Sequence, residues 1–160
     1  MTASIGSVQA GAQLPTVRHR PSDVTLFRFS AATNNAHRIH YDGPFAASEG
    51  LPGPVVQSHL HGCYFASLLQ AWGGPRSRIS ALAWRPMMPV AAGEEVTVTG
   101  RVSPAGRDAG GIMQATLELE ETNDIGDVTA TATASMRFPD LAQEANNLDM
   151  AWSPPPAGKV

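Results

Sequence analysis

The sequence predicts an α+β domain in which one antiparallel β-sheet wraps a single central helix, and three observations carry that expectation. Residues 58–72 form one long apolar run with broad helical coverage (Leu60, Cys63, Tyr64, Ala66, Leu68, Trp72), which Gly73-Gly74-Pro75 ends abruptly. After it the texture changes to alternating strands at 94–102, 112–122 and 128–137. The last two are joined by Asn123-Asp124-Ile125-Gly126-Asp127, a hairpin-turn composition. One helix followed by antiparallel strands is satisfied when the sheet buries its apolar face on that helix. No internal repeat competes with a single-domain reading.

Taken in order, residues 1–20 are small and polar and read as a flexible N-terminal arm, or at best one edge strand. Pro21-Ser22-Asp23 reads as a helix start with Ser22 as N-cap. In the stretch that follows, Val24, Phe27 and Ala31 fit a helical face, whereas Leu26 and Arg28 alternate as in a strand; helix is the preferred reading. Gly43-Pro44, Gly50 and Pro52-Gly53-Pro54 mark loop and short turns before the long helix. Residues 79–89 are apolar and non-helical, interrupted by Arg85-Pro86. From residue 140 the chain turns polar and then Pro154-Pro155-Pro156, so 140–160 is expected to be a tail and 21–139 the domain.

Composition narrows the function classes. With 160 residues, 42% hydrophobic and 16% charged, the chain fits one ordinary globular domain. A formal charge of -3, with Arg18-His19-Arg20 as its densest basic cluster, argues against a nucleic-acid or anionic-membrane binder. No apolar stretch reaches membrane-spanning length, and residues 1–13 lack the order of a signal peptide. Cys63 alone cannot form an internal disulfide and suits a reducing compartment; the cytoplasm is the expected location. Its apolar flanks predict a buried thiol.

The chemistry concentrates in Asn35-Ala36-His37-Arg38-Ile39-His40-Tyr41-Asp42 and in Gly53-Pro54-Val55-Val56-Gln57-Ser58-His59. His40 is the candidate acid/base, since an imidazole changes protonation near neutral pH. Its alternative is a structural histidine bonded to a backbone carbonyl. Asn35 cannot titrate; it can orient a water or the imidazole, or serve as a helix C-cap or turn residue. The helix start at Ser58-His59-Leu60 offers backbone N–H donors without intrahelical acceptors, and its dipole favours negative charge. The Ser58 hydroxyl has capping of that helix as its other role. His37, His40, His59 and His61 have spacings that metals use. No Cys cluster or suitably spaced Glu accompanies them, so no metal is expected. Arg38 pairs with Asp42 or shapes a pocket; Asp42 itself is a second candidate acid/base group.

These residues resemble a known family. Asn35-x-His37-Arg38-Ile39-His40-Tyr41-Asp42, then Glu49-Gly50-Leu51-Pro52-Gly53 and Val55-Val56 before the helix, and Gly93-Glu94-Glu95-Val96 after it, look like the MaoC-like hydratase/dehydratase group of the hot dog fold. The chain is most similar to the branch that contains mesaconyl-CoA and itaconyl-CoA hydratases and mitochondrial 3-hydroxyacyl-thioester dehydratases, over residues 27–136. The resemblance implies a hydro-lyase acting reversibly on a 2-enoyl (3-hydroxyacyl) thioester of CoA or a carrier protein. It implies a homodimer with pockets between protomers, and no cofactor. By position it makes His40, Asn35 and Ser58 the catalytic set, with His37, Arg38, Gln57 and His59 as substrate-binding residues. Departures are also visible. Asn35 stands where the broader family has Asp, His37 and Arg38 replace an Asn-Pro pair, and Gln57-Ser58 replace a frequent His-Gly. Two rivals remain: a thioesterase on the same fold, relying on Asp42 or Glu49, and a non-catalytic acyl-thioester-binding or partner subunit.

Overall fold

The computed structural model describes residues 8–138. A short strand β1 (Val17–His19) leads into helix α1 (Asp23–Thr33), a 3-10 turn (Arg38–His40), helix α2 (Gly43–Ser48) and the long helix α3 (Ser58–Gly73). Four strands follow: β2 (Arg78–Pro86), β3 (Val96–Arg107), β4 (Met113–Asn123) and β5 (Val128–Phe138). Together with β1 they form one antiparallel five-stranded sheet in the order β1-β3-β4-β5-β2, so β2, first after α3, lies at the edge opposite β1. The sheet curls around α3, which is the α+β, hot dog arrangement expected.

Alternation along the strands explains the wrapping. Val96, Val98 and Val102 of β3, Leu117 and Leu119 of β4, and Ala130, Ala132 and Ala134 of β5 face inward and are buried. Opposite them, Phe65, Leu68 and Leu69 of α3 are almost fully enclosed. Each such side chain contributes about 1.5–3 kcal/mol of burial. The alanines of β5 are small, so the sheet can approach the helix closely beside the bulky α3 residues. The far side of α3 (His59, Cys63, Ser67, Gln70) recurs every three to four residues and is exposed. Cys63 is therefore an exposed thiol, not the buried one expected. Apolar neighbours in sequence sit on other faces of a helix and do not bury the residue between them.

The stretch read as an arm or one edge strand provides that strand: β1 pairs with β3 through Val17 and Val98. Ahead of it, Leu14 N–H donates to the Gly100 carbonyl at 2.8 Å, and Val8 and Leu14 are buried in the core. Residues 140–160, the expected tail, lie outside the described residues. Ser22 caps α1 as expected, its hydroxyl accepting from Thr25 N–H at 3.2 Å. The loop expected at 43–54 differs in its first part. Asp42 Oδ1 accepts from Phe45 N–H at 3.0 Å, and Pro44 sits in the first turn, so Gly43-Pro44 opens α2 rather than a turn. A capping aspartate followed by proline at a helix start satisfies the same residue preferences as a turn. Among the described residues no helix is long and apolar enough to cross a membrane.

Candidate active site

The site is built around the loop between α1 and α2. Asn34 ends α1 in the left-handed conformation (φ 52°), and Asn35 takes the next position as a turn residue. Asn35 Oδ1 accepts from His37 N–H at 3.2 Å, which sets up the 3-10 turn carrying His40. That turn is tied to the segment leading into α3. Val55 N–H donates to the Ile39 carbonyl at 3.0 Å, and the Val55 carbonyl accepts from His40 Nδ1 at 2.7 Å. A carbonyl only accepts, so Nδ1 carries the proton and a neutral His40 keeps its lone pair on Nε2. Val56 N–H bonds in turn to the Val90 carbonyl at 2.9 Å, which anchors the segment to the chain entering β3.

His40 is buried, at 8% exposure. Desolvation lowers its pKa below 6.5; the Val55 hydrogen bond opposes this, and nearby His37 adds to it. The imidazole therefore favours its neutral, base-competent form. His37 lies beside it, ring centroids 5.9 Å apart, and is exposed. Arg38 is engaged elsewhere: Nε and Nη2 both donate to Asp42 Oδ2, at 3.0 and 2.6 Å, and the guanidinium stacks over Phe45, 4.4 Å from the ring centre. The Arg38 hydrogen bond, followed by the Phe45 N–H, holds the Asp42 carboxyl below its usual range. Asp42 is thus occupied as cap and ion-pair partner.

Two residues beyond Val55, Gln57 is the N-cap of α3, but its side chain makes no cap hydrogen bond. Fully buried, it turns back to α1, where Nε2 donates to the Leu26 carbonyl (2.8 Å) and Ser30 Oγ (2.9 Å). Ser58 is the first helical residue rather than the cap that its hydroxyl suggested. Leu60 and His61 N–H turn to the Gln57 carbonyl, at 2.9 and 3.4 Å. Among the described residues no acceptor meets Ser58 or His59 N–H. Those two donors sit at the positive end of a 16-residue helix. Ser58 and His59 side chains are exposed.

The fold thus brings His40 and His37 together and ties His40 through Val55 to the α3 start. Asn35 shapes the loop, Arg38 braces it from Asp42, and Gln57 links α3 to α1. Among the described residues no group of three metal-ligating side chains converges.

Sequence reasoning did not foresee two contacts. Trp84, on β2, donates its indole N–H to the Ser58 carbonyl at 2.8 Å. A methyl on Gly62 would approach its ring to 2.8 Å. Alanine in place of glycine normally gains about 1 kcal/mol in a helix. Here the pinned indole cannot give way, and overpacking costs about 1–3 kcal/mol. Gly62→Ala is accordingly expected to lower the urea unfolding midpoint; a raised midpoint would show that Trp84 yields.

The other contact is in a buried cluster one turn into α3. His61 Nδ1 lies 2.7 Å from Glu121 Oε1, which also accepts from Thr129 Oγ1 at 2.6 Å. The signal was present in β4: Leu117 and Leu119 face inward, and Glu121 falls on the same parity.

Comparisons with known proteins bear on the family and the fold. A family model for hydroxyacyl-thioester dehydratase type 2 matches residues 6–92. A 41-residue stretch is 61% identical to mesaconyl-C(4)-CoA hydratase of Chloroflexus aurantiacus, covering 25% of this chain and 15% of that protein's length. The (R)-hydratase from A. caviae involved in PHA biosynthesis superposes with a TM-score of 0.76 at 25% identity, over 83% of this chain and 98% of that one. A MaoC-like dehydratase from Rhodospirillum rubrum shares the fold at 17% identity, with a TM-score of 0.73 over 83% and 94% of the two chains. With more than half of its length matched by the family model, the chain belongs to the hydroxyacyl-thioester dehydratase type 2 family.

Proposed function

We propose that this chain catalyses reversible hydration of a 2-enoyl thioester to the 3-hydroxyacyl thioester, on CoA or a carrier protein. The observation that carries the proposal is the His40 ring, buried and held through Nδ1 by Val55, with Nε2 available one short segment from an uncapped helix start. In the hydration direction, His40 Nε2 takes a proton from water as the oxygen bonds to the β carbon. Electron density moves through the double bond to the thioester oxygen, where Ser58 and His59 N–H receive it. The imidazolium then returns a proton to the α carbon, and the carbonyl reforms. The net addition is one water across the double bond, and the base is regenerated. Donors of this kind are worth about 3 kcal/mol each where they have been removed from other enzymes.

Asn35 stands where a second carboxylate would be, so a single titratable group serves both proton transfers. His37, beside His40, and His59, on the exposed α3 face, are the substrate-facing members of the binding set. Arg38 and Gln57 support it from behind. The thioesterase alternative loses ground because Asp42 is committed to Arg38 and Phe45 and Glu49 is exposed. A homodimer fits the β2 edge, where among the described residues no strand pairs with its outer side and a second strand can add.

The direct test is absorbance at the enoyl-thioester band with mesaconyl-CoA and crotonyl-CoA, run beside a free-thiol assay. Loss of the band without thiol release supports hydration; thiol release would support the thioesterase, and neither change would favour a binding role.

The pH dependence has a definite sign. His40 and His19 are both shifted down by burial, with Glu121 partly opposing the shift at His19. The unfolded chain therefore takes up protons near pH 6.5 that the folded chain refuses. The stability these groups contribute is present above pH 6.5 and is lost as pH falls through their lower folded values. Hydration kcat/KM is expected to stay flat to below pH 6.5 and then drop on the acid side as His40 charges. An acid limb centred above 6.5 would assign the base to another group.

A further inference from the structure

The first turn of α3 is gripped from beneath by Trp84. The indole is half-buried on the inward face of β2, in register with Ala132 of β5. It donates to the Ser58 carbonyl at 2.8 Å and meets the His59 imidazole edge-on, with centroids 5.7 Å apart and planes at 75°. It also lies so close to α3 that only a glycine fits at position 62.

The Ser58 carbonyl and the His59 N–H are the two ends of one peptide unit. Inside a helix, that carbonyl already accepts from the N–H four residues on, so the indole is a second donor to the same oxygen. Drawing electron density towards the oxygen makes the N–H at the other end of the amide more acidic and a stronger donor, the polarisation that runs along hydrogen-bonded chains. That N–H is one of the two for which no acceptor is found at the helix start. The N-cap side chain, Gln57, makes no bond to these donors and is held by α1 instead.

We infer that Trp84 is a positioning residue that orients and polarises the 58–59 peptide, so that the His59 amide is the stronger donor to the thioester oxygen. The inference rests on the hydratase reading above. Trp84 touches no reacting atom in this scheme; it acts through the amide.

The test is Trp84→Phe, which keeps an aromatic ring against Gly62 and His59 and deletes the indole N–H. Replacement of the indole by its benzothiophene isostere is the companion should phenylalanine perturb folding. Loss of one hydrogen bond is expected to reduce kcat roughly tenfold, with KM within about twofold. A 3-hydroxybutyryl-CoA probe labelled with carbon-13 at the thioester carbonyl gives the second readout by isotope-edited infrared spectroscopy. Bound to the unsubstituted protein, its carbonyl stretch should fall below the free-ligand frequency; in either variant it should move part of the way back. A shift that is present and unchanged in both variants, with kcat unaltered, would overturn the inference and leave Trp84 as packing. No shift in the unsubstituted protein would instead overturn the helix-start reading, and the inference with it.

Discussion

Replacing His40 with alanine is expected to lower kcat/KM for enoyl-thioester hydration by about 100- to 10,000-fold, the range over which a positioned acid/base group acts. The scheme has no second titratable group to take over, because Asn35 cannot ionise and Asp42 is held as a carboxylate by Arg38 and Phe45. Alanine also removes the partner of the Val55 carbonyl, so part of any loss would come from loosening the loop. His40→Asn separates the two effects. Its amide nitrogen lies near the position of Nδ1 and can still donate to Val55, but it offers no base. Asparagine should therefore match alanine in lost activity while retaining more stability. Either variant acting within threefold of the unsubstituted protein would remove His40 from the mechanism.

The largest effect on stability is expected from Glu121. It is wholly buried, with 0% exposure, and His61 has 2%. One oxygen of Glu121 is shared by His61 and Thr129, while among the described residues the other has no partner. Tyr64 packs edge-on to His61 and stacks on His19 at 4.0 Å, and burial together with Glu121 pushes its phenol well above the usual range. Deleting one member of a buried ionisable pair strands the other, which typically costs about 3–5 kcal/mol. Folded domains hold only about 5–15 kcal/mol in all. Glu121→Ala or His61→Ala should therefore lower the urea midpoint severely, and Thr129→Val less so. Replacing both partners with leucine should recover much of the loss, since an apolar pair leaves nothing unsatisfied. If either alanine variant stayed within about 1 kcal/mol of the parent, the pair would be energetically slack. Because His61 lies one turn from Ser58, these variants also report on how firmly the helix start is held.

What the sequence by itself determined about this protein follows from local rules. Apolar spacing and the Gly73-Gly74-Pro75 stop place α3; period-two alternation and the turn at 123–127 place the sheet; Ser22 starts α1. The string from Asn35 to Asp42 was enough to identify the family resemblance and to single out His40. Periodicity reports which face of an element is apolar, and turn chemistry reports where an element ends, without reference to anything distant. Gly43-Pro44 was the local signal that proved ambiguous, since a proline soon after an acidic residue opens a helix as readily as a turn.

Tertiary structure alone decided who meets whom. The bond from His40 to Val55 spans 15 positions, that from Ser58 to Trp84 26, and that from His61 to Glu121 60. Gln57 looked like a substrate contact by position, and its amide instead closes on α1, 31 and 27 residues earlier. Cys63 looked buried and faces outward. In each case the outcome depends on strand register and on how the sheet curls around α3. Those are collective properties of the packed chain, because a hydrogen-bond partner is chosen by proximity in space once burial has removed water as the competitor.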